Sequence, residues 1–484
     1  MNNDLPIAVI GAGPVGLAAA AHLVGRGIAV RVYEAGETAG AHVRDWGHVR
    51  VFSPWRYNID SAARDILLKH GWQEPDGDGL PTGEELYAQY LRPLAETPDL
   101  RRVIETGARV RAVSRQGIDK VSSRQRESHP FVLTVATAQG ERIDLARAVI
   151  DASGTWSQPN PMGATGLPAI GEDKCGDVIA YGIPDILGRD RARYAGQRVL
   201  VVGAGHSAAN ALLDLARLAE SDTALRLTWV VRGRDLTRVF GGGAADQLPA
   251  RGRLGTELKR LVDSGRLTLV TGFAVERIAR DRDGVTVSGS TADGPRALAP
   301  VDRIVVATGQ RPDLGMVREL RLDLDPWLES PRALGPMIDP NLHSCGSVPP
   351  HGHRELSHPE PGYYAVGIKS YGRAPTFLMA TGYEQVRSIA AQLAGDTVAA
   401  DDVRLVLPET GVCSADPVIT GESAGCCGGP APAGVDACCS DDAAAKSEGK
   451  AGCGCSSAAP SATVAKASCC GSAKADRVVE TENA

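Results

Sequence analysis

One plan occurs twice in this chain and constrains its fold more than any other feature. Ile7-Ala-Val-Ile10 is a short apolar run, followed by Gly11-x-Gly13-x-x-Gly16, an Ala-rich stretch and a second apolar run, Ala29-Val-Arg-Val-Tyr33. Arg198-Val-Leu-Val-Val202 leads in the same way into Gly203-x-Gly205-x-x-Ala208, a helical stretch through Leu218, and Leu227-Thr-Trp-Val-Val231. Each copy reads as strand, glycine turn, helix, strand, which is the building unit of a parallel sheet covered by helices. Each also closes on an apolar run and a small-residue turn: Ala148-Val-Ile150 into Asp151-Ala-Ser-Gly154, and Arg303-Ile-Val-Val-Ala-Thr-Gly309. The expected fold class is α/β, with two Rossmann-like domains.

The glycine spacing carries chemistry. Gly11 permits a tight turn, Gly13 lets the backbone approach a pyrophosphate, and Gly16 lets helix and strand pack closely. The helix opening at Pro14 and Val15 presents free N–H groups and a positive dipole end. Glu34 ends the second strand, where a carboxylate accepts from the ribose hydroxyls of an adenosine. In the second copy His206 and Ser207 open the helix and Ala208 replaces the third glycine. Its second strand runs into Val231-Arg232-Gly233-Arg234 with no acid. Arginine there suits a 2′-phosphate, which favours NADPH over NADH. The bland alternative is a pair of ordinary glycine turns beside solvated charges.

A third stretch, from about Leu314 to Gly395, holds an apolar strand, Tyr363-Tyr-Ala-Val366, and a long helix from about Leu378. It reads as a return to the first domain. The expected organisation is therefore a discontinuous FAD domain (1–165 and 314–400) with an NADPH domain (166–313) inserted in it. From about Pro408 periodicity stops and Ala, Gly, Ser, Lys, Asp and Cys dominate, so 408–484 is expected to be a disordered, cysteine-rich tail.

Composition narrows the function classes. At 484 residues the chain suits two or three domains, and a formal net charge of −6 argues against nucleic acid or anionic membrane as a partner. Leu5 to Gly25 lacks Asp, Glu, Lys and Arg, yet its glycines sit at fingerprint positions and Asp4 precedes it. It reads as a buried strand, turn and helix rather than a signal or a span. Cytoplasm is the expected location, and a homodimer is compatible with the sequence.

The two fingerprints, Glu34, Arg232 and the Ala-Thr-Gly309 turn together resemble the flavoproteins with two dinucleotide-binding domains. These include thioredoxin reductases and class B flavin-containing monooxygenases, and the resemblance covers roughly Leu5 to Gly395. It implies FAD, NADPH and hydride transfer between them. Gly154-Thr-Trp-Ser-Gln-Pro-Asn160 looks like the monooxygenase branch. Both branches differ from this chain. Thioredoxin reductases need a dithiol near the flavin, and residues 5–395 have no Cys-x-x-Cys. The monooxygenase pattern Phe-x-Gly-x-x-x-His aligns on Gly176 with Lys174 at the Phe position and Ala180 at the His position. The stretch Gly367 to Thr376 sits where this superfamily closes over the flavin, so Lys369 or Arg373 is expected to stabilise reduced flavin.

Two clusters remain. His343, Cys345, His351, His353 and His358 have metal-ligand side chains, but their spacing matches no standard site. A wall on the substrate side of the flavin, or a plain polar loop, suits them better. The tail carries Cys426-Cys427, Cys438-Cys439, Cys453-Gly-Cys455 and Cys469-Cys470. Paired thiolates favour thiophilic ions such as arsenite, Hg(II) or Cu(I), and these pairs resemble arsenite- and mercury-binding tails. Tail disulfides are the other reading. The expectation is an NADPH-dependent FAD oxidoreductase, monooxygenase-like, tied to arsenic or metalloid detoxification and acting on a small-molecule or metalloid substrate. A disulfide or metal reductase using the tail, or a non-catalytic metal-binding flavoprotein, are the alternatives. The residues name no catalytic acid or base.

Overall fold

A computed structural model describes residues 4–341, 348–375 and 377–408. The chain divides into two units, Met1–Val418 and Ile419–Ala484, and the second lies outside the described residues.

The first unit is built on two parallel sheets. In chain order the strands are β1 (Ile7–Ile10), β2 (Val30–Tyr33), β3 (Ile104–Glu105), β4 (Arg109–Arg115), β5 (Phe131–Thr137), β6 (Gly140–Ala146), β7 (Ala148–Asp151), β8 (Ile179–Tyr181) and β9 (Arg198–Val202). They continue with β10 (Arg226–Val230), β11 (Thr268–Val270), β12 (Ala274–Asp281), β13 (Gly284–Thr291), β14 (Gly294–Ala297), β15 (Arg303–Val306) and β16 (Tyr363–Ala365). One sheet has the order β16-β7-β1-β2-β3 and the other β11-β10-β9-β15-β8. Every neighbour pair within these two sheets is parallel. The first sheet thus takes strands from residues 7–151 and from residues 363–365. The second sheet lies between them in sequence.

β1 and β7 are buried along their whole length, as expected for central strands covered on both faces. The helix Pro14–Gly25 is buried from Val15 to Leu23, and its four alanines, Ala18 to Ala21, are fully covered. Such small side chains let the helix Met379–Leu393 pack close against it. The helix His206–Ser221 is one-sided instead. Ala208, Ala211, Leu212, Leu215 and Leu218 form its buried stripe, at the spacing of one helical face.

Two antiparallel sheets, β4-β5-β6 and β12-β13-β14, complete the strands. In β5 the burial alternates, with Phe131, Leu133 and Val135 inward, the period of a half-covered strand. Buried Glu360 accepts from Arg115 at 2.8 Å and from Arg126 at 2.8 Å. This clamp fastens β4 and the following loop to the entry of β16. Among the described residues, no helix is long and apolar enough to cross a membrane.

Candidate active site

Both glycine-turn helices reach one cavity of about 740 Å³, a size typical of cofactor and small-molecule sites. Its lining includes Gly11, Gly13, Pro14, Val15 and Glu34. Gly154 belongs to the second segment, Ala152 to Ser157. His206, Ser207 and Asn210 supply a third, from the start of the second glycine-turn helix. Val366 to Ile368 and Phe377 to Met379 add the C-terminal segment.

The first turn fits a dinucleotide. Gly11 has φ of +96°, and a Cβ there would meet the Ala152 carbonyl oxygen at 2.8 Å. A Cβ on Gly16 would meet the Gly11 oxygen at 1.9 Å, so helix and turn touch directly. At Gly13 a Cβ would meet nothing within 4 Å, which leaves that backbone open to the cavity. No side chain caps the helix Pro14–Gly25, so its first N–H groups are available to phosphates. Glu34 is buried, and its carboxylate accepts from the N–H groups of Ala12 at 2.8 Å and Gly36 at 2.7 Å. These two bonds hold it at the cavity wall with lone pairs left for ribose hydroxyls. The residues present therefore fit the adenosine and pyrophosphate of FAD.

The second turn repeats the geometry. Gly203 has φ of +134°, and a Cβ there would meet the Ala307 oxygen at 2.2 Å. Gly205 is open, and the helix His206–Ser221 has no side-chain cap. Ala208 is fully buried under that turn. Arg232 is exposed just beyond β10 and donates to the Ala164 oxygen at 2.8 Å. This fits NADPH held by backbone N–H groups, with a cation near the end of the second strand. The ring of His206 packs on Phe52 with centroids 5.0 Å apart, so the Gly40–Ser53 segment meets the start of the second glycine-turn helix at the cavity.

Gly309 lies beside the cavity rather than on it. Its carbonyl accepts from Asn160 N–H at 2.9 Å, and the Asn160 amide donates to the Thr308 oxygen at 3.1 Å. It fastens the Ala-Thr-Gly turn to the Gly154–Asn160 loop, and its neighbour Gln310 makes the lining.

Lys369 and Arg373 do not face the cavity as expected. Lys369 is wholly buried, and its ammonium donates to Asp151 Oδ2 at 2.7 Å and Ser153 Oγ at 2.9 Å. Tyr363 donates to the same carboxylate oxygen at 3.1 Å. A buried ammonium needs a carboxylate partner, and Asp151 supplies it from the end of β7. Arg373 pairs with Glu329 at 2.9 Å near the surface. The Gly367 amide is also engaged, donating to Gln385 Oε1 at 2.8 Å.

The described histidines of the loop are engaged with other partners. His351 bonds to the Pro349 oxygen and to Gln385, His353 to Asp401, and His358 accepts from the Asp323 N–H. Among the described residues, no three His, Cys, Asp or Glu groups are placed to hold a metal ion. His343 and Cys345 lie outside the described residues. So do the tail cysteines Cys426, Cys427, Cys438, Cys439, Cys453, Cys455, Cys469 and Cys470. Among the described residues Cys175 is the only cysteine, and it is buried in a core cluster away from the cavity.

Sequence reasoning missed much of the wall. His42, Trp46, Arg50 and Phe52 line the cavity from a segment of short turns, and Trp156 faces it from the Gly154–Asn160 loop. The density of aromatic and basic residues between Gly40 and Ser53 was the available signal.

Residues 8–330 match the family model described as pyridine nucleotide-disulphide oxidoreductase, and the chain belongs to that family. A ferredoxin–NADP reductase of Gluconacetobacter diazotrophicus is 30% identical over 201 residues, which is 40% of this chain and 50% of that protein. One from Thermus thermophilus is 25% identical over 347 residues, covering 71% of this chain and 84% of that protein. Two solved structures share the fold. The bacillithiol disulfide reductase of Bacillus cereus has a TM-score of 0.59 at 19% identity, over 81% of this chain and 99% of its own. A flavin-containing monooxygenase from Stenotrophomonas maltophilia has a TM-score of 0.50 at 21% identity, over 82% of this chain and 98% of its own. The protein is an FAD- and NAD(P)-dependent oxidoreductase, with FAD and NADP(H) as its cofactors.

Proposed function

We propose that this oxidoreductase passes electrons from NADPH through FAD directly to a small acceptor in the cavity. The favoured chemistry is that of a flavin monooxygenase acting on a soft nucleophile, in the handling of arsenic or another thiophilic element. The observation that carries the direct transfer is the cavity wall. Both glycine-turn helices open on it, and among its described lining residues there is no thiol to relay electrons. The paired tail cysteines support the link to thiophilic elements.

Two rivals have specific support. The family and the cysteine pairs favour a reductase that sends electrons through tail thiols. The names of the sequence relatives favour exchange with a ferredoxin. NADPH oxidation by the FAD-loaded full chain is measured with oxygen, an organic disulfide, or a ferredoxin as sole acceptor, each with and without arsenite. Oxygen consumption coupled to an oxygenated product supports the proposal. Turnover only with a disulfide or a ferredoxin replaces it. A chain ending at Pro408 separates the thiol route, since direct transfer survives the truncation and relay through the tail does not. No NADPH turnover with any acceptor leaves a non-catalytic binding protein.

A further inference from the structure

A cavity group has its chemistry set by a neighbour that reaches in from a distant segment. His42 lines the cavity from the short helix Ala41–Asp45. Its Nδ1 lies 3.0 Å from Asp45 Oδ2. The same carboxylate oxygen accepts from Trp156 Nε1 at 3.1 Å. Trp156 also lines the cavity, 111 positions further along the chain, in the Gly154–Asn160 loop. Arg44, the intervening cation, is turned away and stacks on Tyr87 at 4.9 Å.

This is more than a local surface pair. An isolated ion pair between half-exposed groups three residues apart orders little. Here Asp45 is held by two partners, His42 and an indole from the Gly154–Asn160 loop. A carboxylate on Nδ1 fixes that nitrogen as the N–H, so Nε2 becomes the group that accepts or delivers a proton.

Two-electron turnover needs such a group. NADPH supplies a hydride, which carries two electrons and one proton. An acceptor reduced by two electrons and protonated twice takes a second proton from water. We propose that His42 carries that second proton to the acceptor in the cavity, with Asp45 and Trp156 as its positioning residues. The proton enters on Nε2 from solvent, leaves to the reduced acceptor, and returns the ring to its starting state. The inference rests on the NADPH–FAD oxidoreductase assignment and on an acceptor that takes up protons with its electrons, as oxygen or a disulfide does; a ferredoxin takes electrons alone and would leave His42 without this role.

The test separates the two halves of turnover in the FAD-loaded full chain. H42Q should leave FAD content and the anaerobic rate of flavin reduction by NADPH unchanged. It should slow reoxidation by the acceptor by about 100-fold or more, and added imidazole should restore part of that rate. D45N should slow the same half-reaction by a smaller factor. W156F, which removes the indole N–H, should act in the same direction as D45N. Wild-type reoxidation should show a solvent deuterium effect that H42Q loses. Unchanged reoxidation in H42Q, or a loss without imidazole rescue, would overturn the assignment. Loss of FAD from H42Q would mean that the side chain holds the cofactor, and would also overturn it. If no flavin reduction by NADPH is seen in the wild type, the oxidoreductase assignment fails instead, which is a different outcome from any of these.

Discussion

Lys369→Met should be among the most damaging single substitutions in the described chain. Lys369 and Asp151 have side chains with 0% exposure and lie 2.7 Å apart. After the substitution Asp151 keeps Ser153 Oγ at 2.6 Å, Ser153 N–H at 3.2 Å and Tyr363 OH at 3.1 Å. Those neutral donors do not replace a cation. Breaking one partner of a buried pair costs about 3–5 kcal/mol, because a charge is left uncompensated. With a urea dependence of about 3 kcal/mol per M, the unfolding midpoint should fall by about 1–1.7 M. The double variant D151N/K369M should recover a large part of this loss, since the stranded charge is gone. Arg373→Ala is the control: its pair with Glu329 is partly exposed, with side chains 39% and 31% accessible, and should contribute no more than about 1 kcal/mol. A K369M loss equal to that of R373A, or no recovery in the double variant, would refute the buried pair.

Glu34→Ala should weaken FAD binding by about tenfold or more, since it removes a carboxylate that carries charge-assisted bonds; fluorescence titration of apoprotein measures it. Arg232→Ala should lower the preference for NADPH over NADH by raising KM for NADPH while KM for NADH changes little. His358 should make the fold acid-sensitive. Burial pushes its pKa from 6.5 down to about 4. The neutral ring is therefore favoured in the folded state, and unfolding takes up a proton between those values. Stability from this group is present above pH 6.5 and falls by about 3 kcal/mol as the pH drops towards 4. In H358F the slope of stability against pH across that window should flatten.

How much was legible in the sequence follows from how local the signal is. Ile7 to Glu34 carries strand, turn, helix and acid within one stretch, and Arg198 to Arg232 carries strand, turn, helix and an arginine in the acid's place. Both were readable because the glycines are required by contacts inside the unit, such as Gly16 against Gly11. The return of Tyr363–Ala365 to the first sheet was readable from its apolar run. Lys369 was misread because its partner, Asp151, lies 218 positions away, and no local pattern distinguishes an ammonium facing a flavin from one facing a buried carboxylate. The Gly40–Ser53 wall was missed for a related reason. Its helices are too short to show a period, and the link from Asp45 to Trp156 exists only in the folded chain.

Direct transfer is tested by an anaerobic titration of the FAD-loaded full chain with NADPH, following flavin absorbance and counting free thiols. One equivalent of NADPH per flavin should bleach the flavin, with no new thiols appearing. A flavin that stays oxidised, or that bleaches only after a further equivalent has produced free thiols, would contradict direct transfer from NADPH through FAD to the cavity.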